Sequence, residues 1–225
     1  MDIGTIADLG TAAGTLFLGI ATFSATRSAN RSARIAERAL SVGMRPVLAE
    51  ARPEDPPQDV IFGDGRTVHV RGGQASVEVI GDHVYLAVPV RNVGAGLAVL
   101  QRYDVHAESP IEAAGYRLAH GLHERSSRRF GPVEIFRDQQ RDIYIAAGGT
   151  GYWQAAFRDP DDELRQALAT TIAAPEAFFV DLLYGDHEGG QHAISRFNLV
   201  PGEDGRWYTT SVFHWSLDSI DPRDS

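Results

Sequence analysis

From Leu9 to Thr26 the chain carries no charged side chain, and arginine then recurs at positions 27, 31, 34 and 38. A membrane-spanning helix needs about 20 mostly apolar residues, and Ile3 to Thr26 has that length. Leu16, Phe17, Leu18, Ile20 and Phe23 supply the apolar bulk, diluted by Thr, Ser, Gly and Ala. Asp8 then belongs near an interface, because a carboxylate at a bilayer centre costs roughly 2.5–3.5 kcal/mol. A cleaved export signal fits poorly. Such signals put positive charge before the apolar region, whereas here Asp2 and Asp8 come first. A soluble core helix with a polar extension is the plain alternative to a membrane anchor, and the anchor is the reading preferred.

Charge sets the orientation of such an anchor. Basic residues close to a spanning helix stay on the cytoplasmic side. Arg27, Arg31, Arg34, Arg38 and Arg45 all follow the segment and none precedes it. The expectation is a single-pass cell-membrane protein with its N-terminus outside and its body in the cytoplasm. Steps of four, three and four residues put Arg27, Arg31, Arg34 and Arg38 on one helical stripe, with Ala25, Ala29, Ala36 and Leu40 on another. The helix is expected to run to about Ser41, before Gly43 and Pro46. The arginine stripe is the candidate contact with the bilayer, anionic headgroups included, at about 1 kcal/mol per residue near the surface. Gly10-x-x-x-Gly14 would permit close helix pairing into a homodimer.

All 21 basic residues are arginine, and the formal charge is −9. Residues 1–45 carry about +2 of it and the remainder about −11. An acidic body argues against nucleic acid as a partner, since phosphate neutralisation needs a basic face. The chain has no cysteine, which excludes disulfides, thiolate metal sites and cysteine nucleophiles.

Beyond residue 45 the pattern is β: short runs of Val, Ile, Tyr, Phe and Leu between turn residues. RPVLAEA (45–51) reads as a first strand, and DVIFGDGRTVHV (59–70) as a hairpin turning at Asp64-Gly65. Residues 75–108 give three strands broken at Gly81-Asp82 and at NVGAG (92–96). In the middle one Val84, Leu86, Val88 and Val90 share a face, and Tyr85, Ala87 and Arg91 the other. Pro89 cannot donate to a ladder, so this strand is expected at an edge or with a bulge. RDIYIAAGGTGYWQAAF (141–157) reads as two strands joined by a glycine hairpin turn. One helix follows, capped by Asp159 with Pro160 at its first position and Leu164, Leu168 and Ile172 as its buried stripe. Residues 177–199 form a hairpin with a polar loop at 185–190, and RWYTTSVFHWSL (206–217) closes the set.

The expected fold is mainly β: an immunoglobulin-like β-sandwich of about eight to nine strands with one short helix, preceded by a long transmembrane and juxtamembrane helix. The expected boundaries are 1–41 for the membrane helix, 42–57 for a linker and first strand, 58–221 for the sandwich and 222–225 for a tail.

No catalytic motif stands out, and no cofactor or metal is implied. HGLHE pairs His120 with His123 beside Glu124, but lacks the H-E-x-x-H order of a zinc protease. AAGGTGYW lacks the lysine and the following helix of a phosphate loop. No G-x-S-x-G elbow is present. A Ser/His/Asp triad assembled in space stays open, because spacing along the chain does not report distance. The candidate binding loops are NVGAG, with Asn92, and YGDHEGG, with Asp186, His187, Glu188 and, just beyond it, His192. Arg125, Arg128 and Arg129 form a small basic island for acidic partners.

Five phrases carry a resemblance: ATFSATRSANRSARIAERAL, MRPVLAEARPEDPPQ, VYLAVPVRNVGAGLAVL, DIYIAAGGTGYWQAAFRDP and VDLLYGDHEGGQHAISRF. With these the chain resembles an uncharacterised family of small single-pass membrane proteins from high-GC Gram-positive bacteria. The resemblance implies an N-terminal membrane helix joined to one β-rich domain, and it implies no activity. The functional expectation is a membrane-anchored, non-catalytic interaction module with an unknown protein partner. Two alternatives stand beside it. One is a hydrolase or metal-dependent enzyme, in which Asp186, His187, His192, His120 and His123 converge in a pocket. The other is a cell-surface protein of the opposite topology.

Overall fold

The computed structural model describes residues 3–107 and 133–218. The chain divides into two compact units that part between Met44 and Arg45.

The first unit is a single helix, α1 (Ile3–Gly43). It ends at Gly43, two residues past the expected Ser41, and Pro46 follows. Two of its hydroxyls bond back to the preceding turn: Thr22 Oγ1 donates to Leu18 O at 2.7 Å and Thr26 Oγ1 to Thr22 O at 2.8 Å. Leu18 and Phe23 are bare, at 68% and 71% exposed. Among the described residues no helix is both long and apolar enough to cross a membrane. The shortfall of α1 against the expected transmembrane helix lies in apolarity, because Thr, Ser, Gly and Ala dilute its few large apolar side chains. Length is not what it lacks.

The second unit is mainly β. Its strands are β1 (Leu48–Glu50), β2 (Gln58–Ile61), β3 (Thr67–Val70), β4 (Gln74–Ile80), β5 (His83–Asn92) and β6 (Ala98–His106). Then come β7 (Arg137–Ile145), β8 (Thr150–Phe157), helix α2 (Glu163–Ala173), β9 (Phe178–Gly185), β10 (His192–Pro201) and β11 (Trp207–Ser216). Eleven strands are thus present among the described residues, against the eight or nine expected. The short β1 lies within the first strand expected at 45–51, whereas β7 begins at the polar Arg137–Gln140, ahead of the segment expected to start at Arg141.

All pairings are antiparallel. One continuous path runs β1-β5-β4-β11-β10-β9-β6-β7, with β8 along the other flank of β5. The path folds into two facing layers. Val84, Leu86, Val88 and Val90 of β5 meet Leu100, Val180, Leu182, Tyr184, Phe197 and Leu199 of the opposite layer in one core. The alternate residues Tyr85 and Ala87 face outward and are covered by the β2–β3 hairpin through Val60, Phe62, Val68 and Val70. That hairpin turns where expected, with Gly65 at φ 84°.

Three expectations are corrected. Strand β5 is central, with β8 on one flank and β4 then β1 on the other. Pro89 is tolerated because its main chain faces the β1/β4 flank just where β1 ends. Its carbonyl accepts from Ala51 N at 3.3 Å, and no donor is demanded of its nitrogen. Second, β7 and β8 do not form a hairpin. The turn through Gly148 (φ 70°) carries the chain from one layer to the other, so β7 pairs with β6 and β8 with β5. Third, α2 is capped by Asp162, whose side chain accepts from Leu164 N at 3.0 Å, while Asp159 holds the preceding turn. Leu168 is fully buried, with Leu164 and Ile172 packed partly buried against the core, as expected.

Candidate functional site: the seam between β7 and β8

Pairing through one edge only leaves β7 and β8 as neighbours that never zip together. Their approach is made by side chains: Gln139 Nε2 donates to Gln154 O at 3.4 Å, and Arg141 Nη2 to the Tyr152 hydroxyl at 2.9 Å. The cause sits in β7. Its pairing with β6 shifts register between Leu100 and Arg102, so Gln139, Gln140, Arg141 and Asp142 stand opposite Gln101 alone. A bulge of this kind bends its strand and re-aims side chains.

A cleft of about 390 Å³ opens there. Ile61, Phe62 and Gly63 of the hairpin form one wall and the β7 bulge the other; Gln154, Ala155, Ala156 and Arg158 bound it along β8. Tyr103 forms the floor, its ring edge-on to Trp153 at 5.1 Å. Ile61, on the rim, is 55% exposed.

The polar wall is under-satisfied. Gln139 Oε1, Gln154 Oε1 and Arg158 Nε are buried without a hydrogen-bond partner. Each such group left unsatisfied costs about 1–3 kcal/mol, and three of the eight such atoms among the described residues belong to residues that line this cleft. Each side-chain amide offers both a donor and an acceptor to a ligand. Among the described residues Arg141 has no carboxylate partner. Arg158 meets Asp64 at 3.2 Å. The Asp64 carboxyl is lowered to about 2, chiefly by the Tyr85 hydroxyl at 2.6 Å and then by the Arg66 amide. Amides, guanidinium groups and apolar surface are groups for holding a ligand rather than for moving its protons.

Two further polar clusters lie elsewhere. Asp181 and Arg196, cross-strand partners on β9 and β10, join through two 2.6 Å hydrogen bonds. Asp181 is fully buried and Arg196 is 5% exposed, its guanidinium stacked between Phe179 and Trp215. His106 Nε2 adds a contact to Asp181 at 3.1 Å and one to Asp104 at 3.4 Å. Burial pushes the Asp181 carboxyl up, but Arg196 and His106 outweigh it and hold it below the usual range. Asp104 is pushed up, by burial first. The second cluster joins Tyr184, Ser195 and His214, with Ser195 Oγ 3.2 Å from His214 Nδ1. It resembles part of a triad only in composition. Ser195, 1% exposed, donates its proton to Leu48 O at 2.8 Å, and Leu48 N donates to the Tyr184 hydroxyl. The cluster pins β1 to the opposite layer. Burial pushes the Tyr184 phenol up to about 12.

The residues expected from sequence lie apart from the seam. Asn92 is fully buried and its side chain makes four hydrogen bonds, accepting from Val47 N and Gly94 N and donating to Gly96 O and Ile145 O. Asp186 accepts from Gly190 N and Gln191 N within its own loop. His187 is exposed beside Glu188, and His192 turns to Asp218 at 3.7 Å. These side chains do not converge, and among the described residues no group of His, Asp and Glu is placed to hold a metal. His120, His123, Glu124, Arg125, Arg128 and Arg129 lie outside the described residues. Arg27, Arg31 and Arg34 are exposed along α1, while the Arg38 side chain lies outside the described ones. Sequence reading missed the seam residues Gln139, Arg141, Gln154 and Arg158. The one signal was the run RDQQRD at 137–142, polar throughout where a strand should alternate. No protein-family model matches the chain, and comparison with characterised proteins finds none similar to it.

Proposed function

We propose that this protein is a non-enzymatic binding module, held at a membrane by its N-terminal helix, whose ligand occupies the cleft on the β7–β8 seam. The observation that carries the reading is the coincidence in one cleft of an unzipped strand pair and three buried, unpartnered polar groups. A site that keeps unsatisfied donors and acceptors at a stability cost is what ligand recognition requires. The domain's general shape we take as immunoglobulin-like, supported by two antiparallel layers over a core built around the fully buried Trp153.

Tethering rests on different support. Leu9 to Thr26 is free of charge and arginines follow directly, which favours a cytoplasmic body. A bilayer would cover the exposed Leu18 and Phe23, and the Thr22 and Thr26 hydroxyls, bonded to carbonyls of their own helix, fit such a setting. A tethered module gains effective concentration near partners on the same membrane.

A photo-crosslinking residue at Gln140, which is exposed on the cleft, tests the placement against the same residue at Glu188 in the 186–190 loop. Adducts in cells from position 140 alone are expected. Adducts from position 188 with none from 140 would move the binding surface to the loops.

A further inference from the structure

The geometry points to an extended peptide bearing acidic side chains as the occupant of the seam, added to the free edge of β8 as an extra strand. This rests on the seam being the binding surface and names what binds there.

The argument starts from the parity of β5. In an antiparallel ladder each residue points its N–H and C=O to one flank, and successive residues alternate flanks. Pro89 points its carbonyl to the β1/β4 flank, where Ala51 N meets it, whereas Asn92 bonds with Gly148 and Gly149 on the β8 flank. Even-numbered residues of β5 therefore bond to β8. Their register partners Gly151, Trp153, Ala155 and Phe157 complete that ladder. Thr150, Tyr152, Gln154 and Ala156 must then direct their main-chain groups outward, to the seam. The contact from Gln139 Nε2 to Gln154 O agrees, since it shows that carbonyl facing β7. A row of outward main-chain donors and acceptors beside a cleft is what strand addition uses for affinity, with side-chain pockets giving specificity.

Charge and shape define the guest further. A strand's side chains alternate faces. One face of a guest would meet Phe62, Ile61 and Tyr103, which calls for apolar residues. The cationic groups at the cleft are Arg141, without a carboxylate partner among the described residues, and Arg158, whose Nη2 meets Asp64 at 3.2 Å while its Nε has no partner. The body as a whole is acidic, so this cationic seam runs against its average charge, and a carboxylate-bearing guest complements it.

The test is selection from a random library of twelve-residue peptides on the full chain, followed by affinity measurement on the chain and two variants. Gln154→Pro removes an outward N–H without removing a bond to β5, because residue 154 does not bond to that strand. Arg141→Gln removes the unpaired cation. Selected peptides are expected to alternate apolar and other residues and to be enriched in Asp and Glu. Their binding should weaken about tenfold or more in Gln154→Pro and in Arg141→Gln. Methylating alternate peptide nitrogens should abolish it. Binders that ignore Gln154→Pro, basic or helical binders, or no binders at all would overturn the proposal. If crosslinks from position 140 persist in that event, the seam still binds, but something other than a strand. If they are absent too, both readings fall.

Discussion

Gln139 on β7 reaches across to the main-chain oxygen of Gln154 on β8, and the side-chain oxygens of both residues are left buried with nothing to accept from. The two strands are joined here by side-chain contacts, this one and that of Arg141 with the Tyr152 hydroxyl, in place of a ladder. If the unpartnered amides are kept for a ligand, replacing one with a shape-matched apolar residue should help the fold and harm binding. Gln154→Met is expected to raise unfolding stability by up to about 1 kcal/mol while weakening capture at the seam. Urea denaturation and peptide affinity check the two effects together. A loss of stability would mean the amide supports the fold.

Asp181 and Arg196 make the opposite case, a buried pair fully engaged. Asp181→Asn leaves the Arg196 charge without a counterion in a site 5% exposed. The expected loss is about 3–5 kcal/mol, read by chemical denaturation. Replacing both with apolar residues of similar volume should recover much of it. The Asp181 carboxyl sits below its usual range, so its contribution is present above the unfolded value and lost as pH falls through the folded one. Asp104 has the contrary sign, since its raised value favours the protonated form and relieves strain on acidification.

Asp64 gives a titration governed by hydrogen bonds, first from Tyr85 and then from the Arg66 amide, which outweigh burial. Its carboxyl should titrate near 2, and Tyr85→Phe, which removes the largest cause, should return it toward 3.8. Carbon-detected NMR titration of the aspartates reads this directly. A folded value already near 3.8 in the unmodified protein would contradict the Tyr85 contact.

Asn92 separates structure from recognition. The sequence places it in a candidate binding loop, yet its amide ties the β1 approach, the 93–97 loop and the end of β7 together. Asn92→Ala should cost about 3 kcal/mol, because it strands several buried main-chain groups, and melting should show it. Unchanged stability with lost binding would restore the ligand role.

The tether predicts a clean division. Residues 45–225 alone should remain folded and leave the membrane fraction, whereas the full chain should resist carbonate extraction. A single cysteine at Glu188 should react with an impermeant maleimide only after lysis. Labelling in intact cells would put the body outside the cell, and extraction by carbonate would make α1 a peripheral helix.

Much of the β unit was legible because its signals are local. Asp64-Gly65, Gly81-Asp82 and the 185–190 loop mark turns, and the alternation in β5 gave both of its faces correctly. The seam was not legible, for two physical reasons. Strand pairing across layers is non-local, so the glycine turn after β7 looks like a hairpin although its two strands join different layers. The bulge at Gln139–Asp142 also carries no motif, only polar residues that read as irregular chain. The cap of α2 slipped by three residues because Asp159 and Asp162 are both competent caps, and only the backbone decides between them. The arginine stripe of α1 was read from spacing alone, and Arg27, Arg31 and Arg34 are exposed along that helix.

The central claim is an open edge on β8, and residue-resolved hydrogen exchange of the free protein tests it without any ligand. The amides of Tyr152, Gln154 and Ala156 are predicted to exchange quickly, and those of Gly151, Trp153 and Ala155 slowly, in strict alternation along the strand. Uniformly slow exchange across residues 151–156 would mean that β8 is paired on both flanks and that there is no seam to occupy.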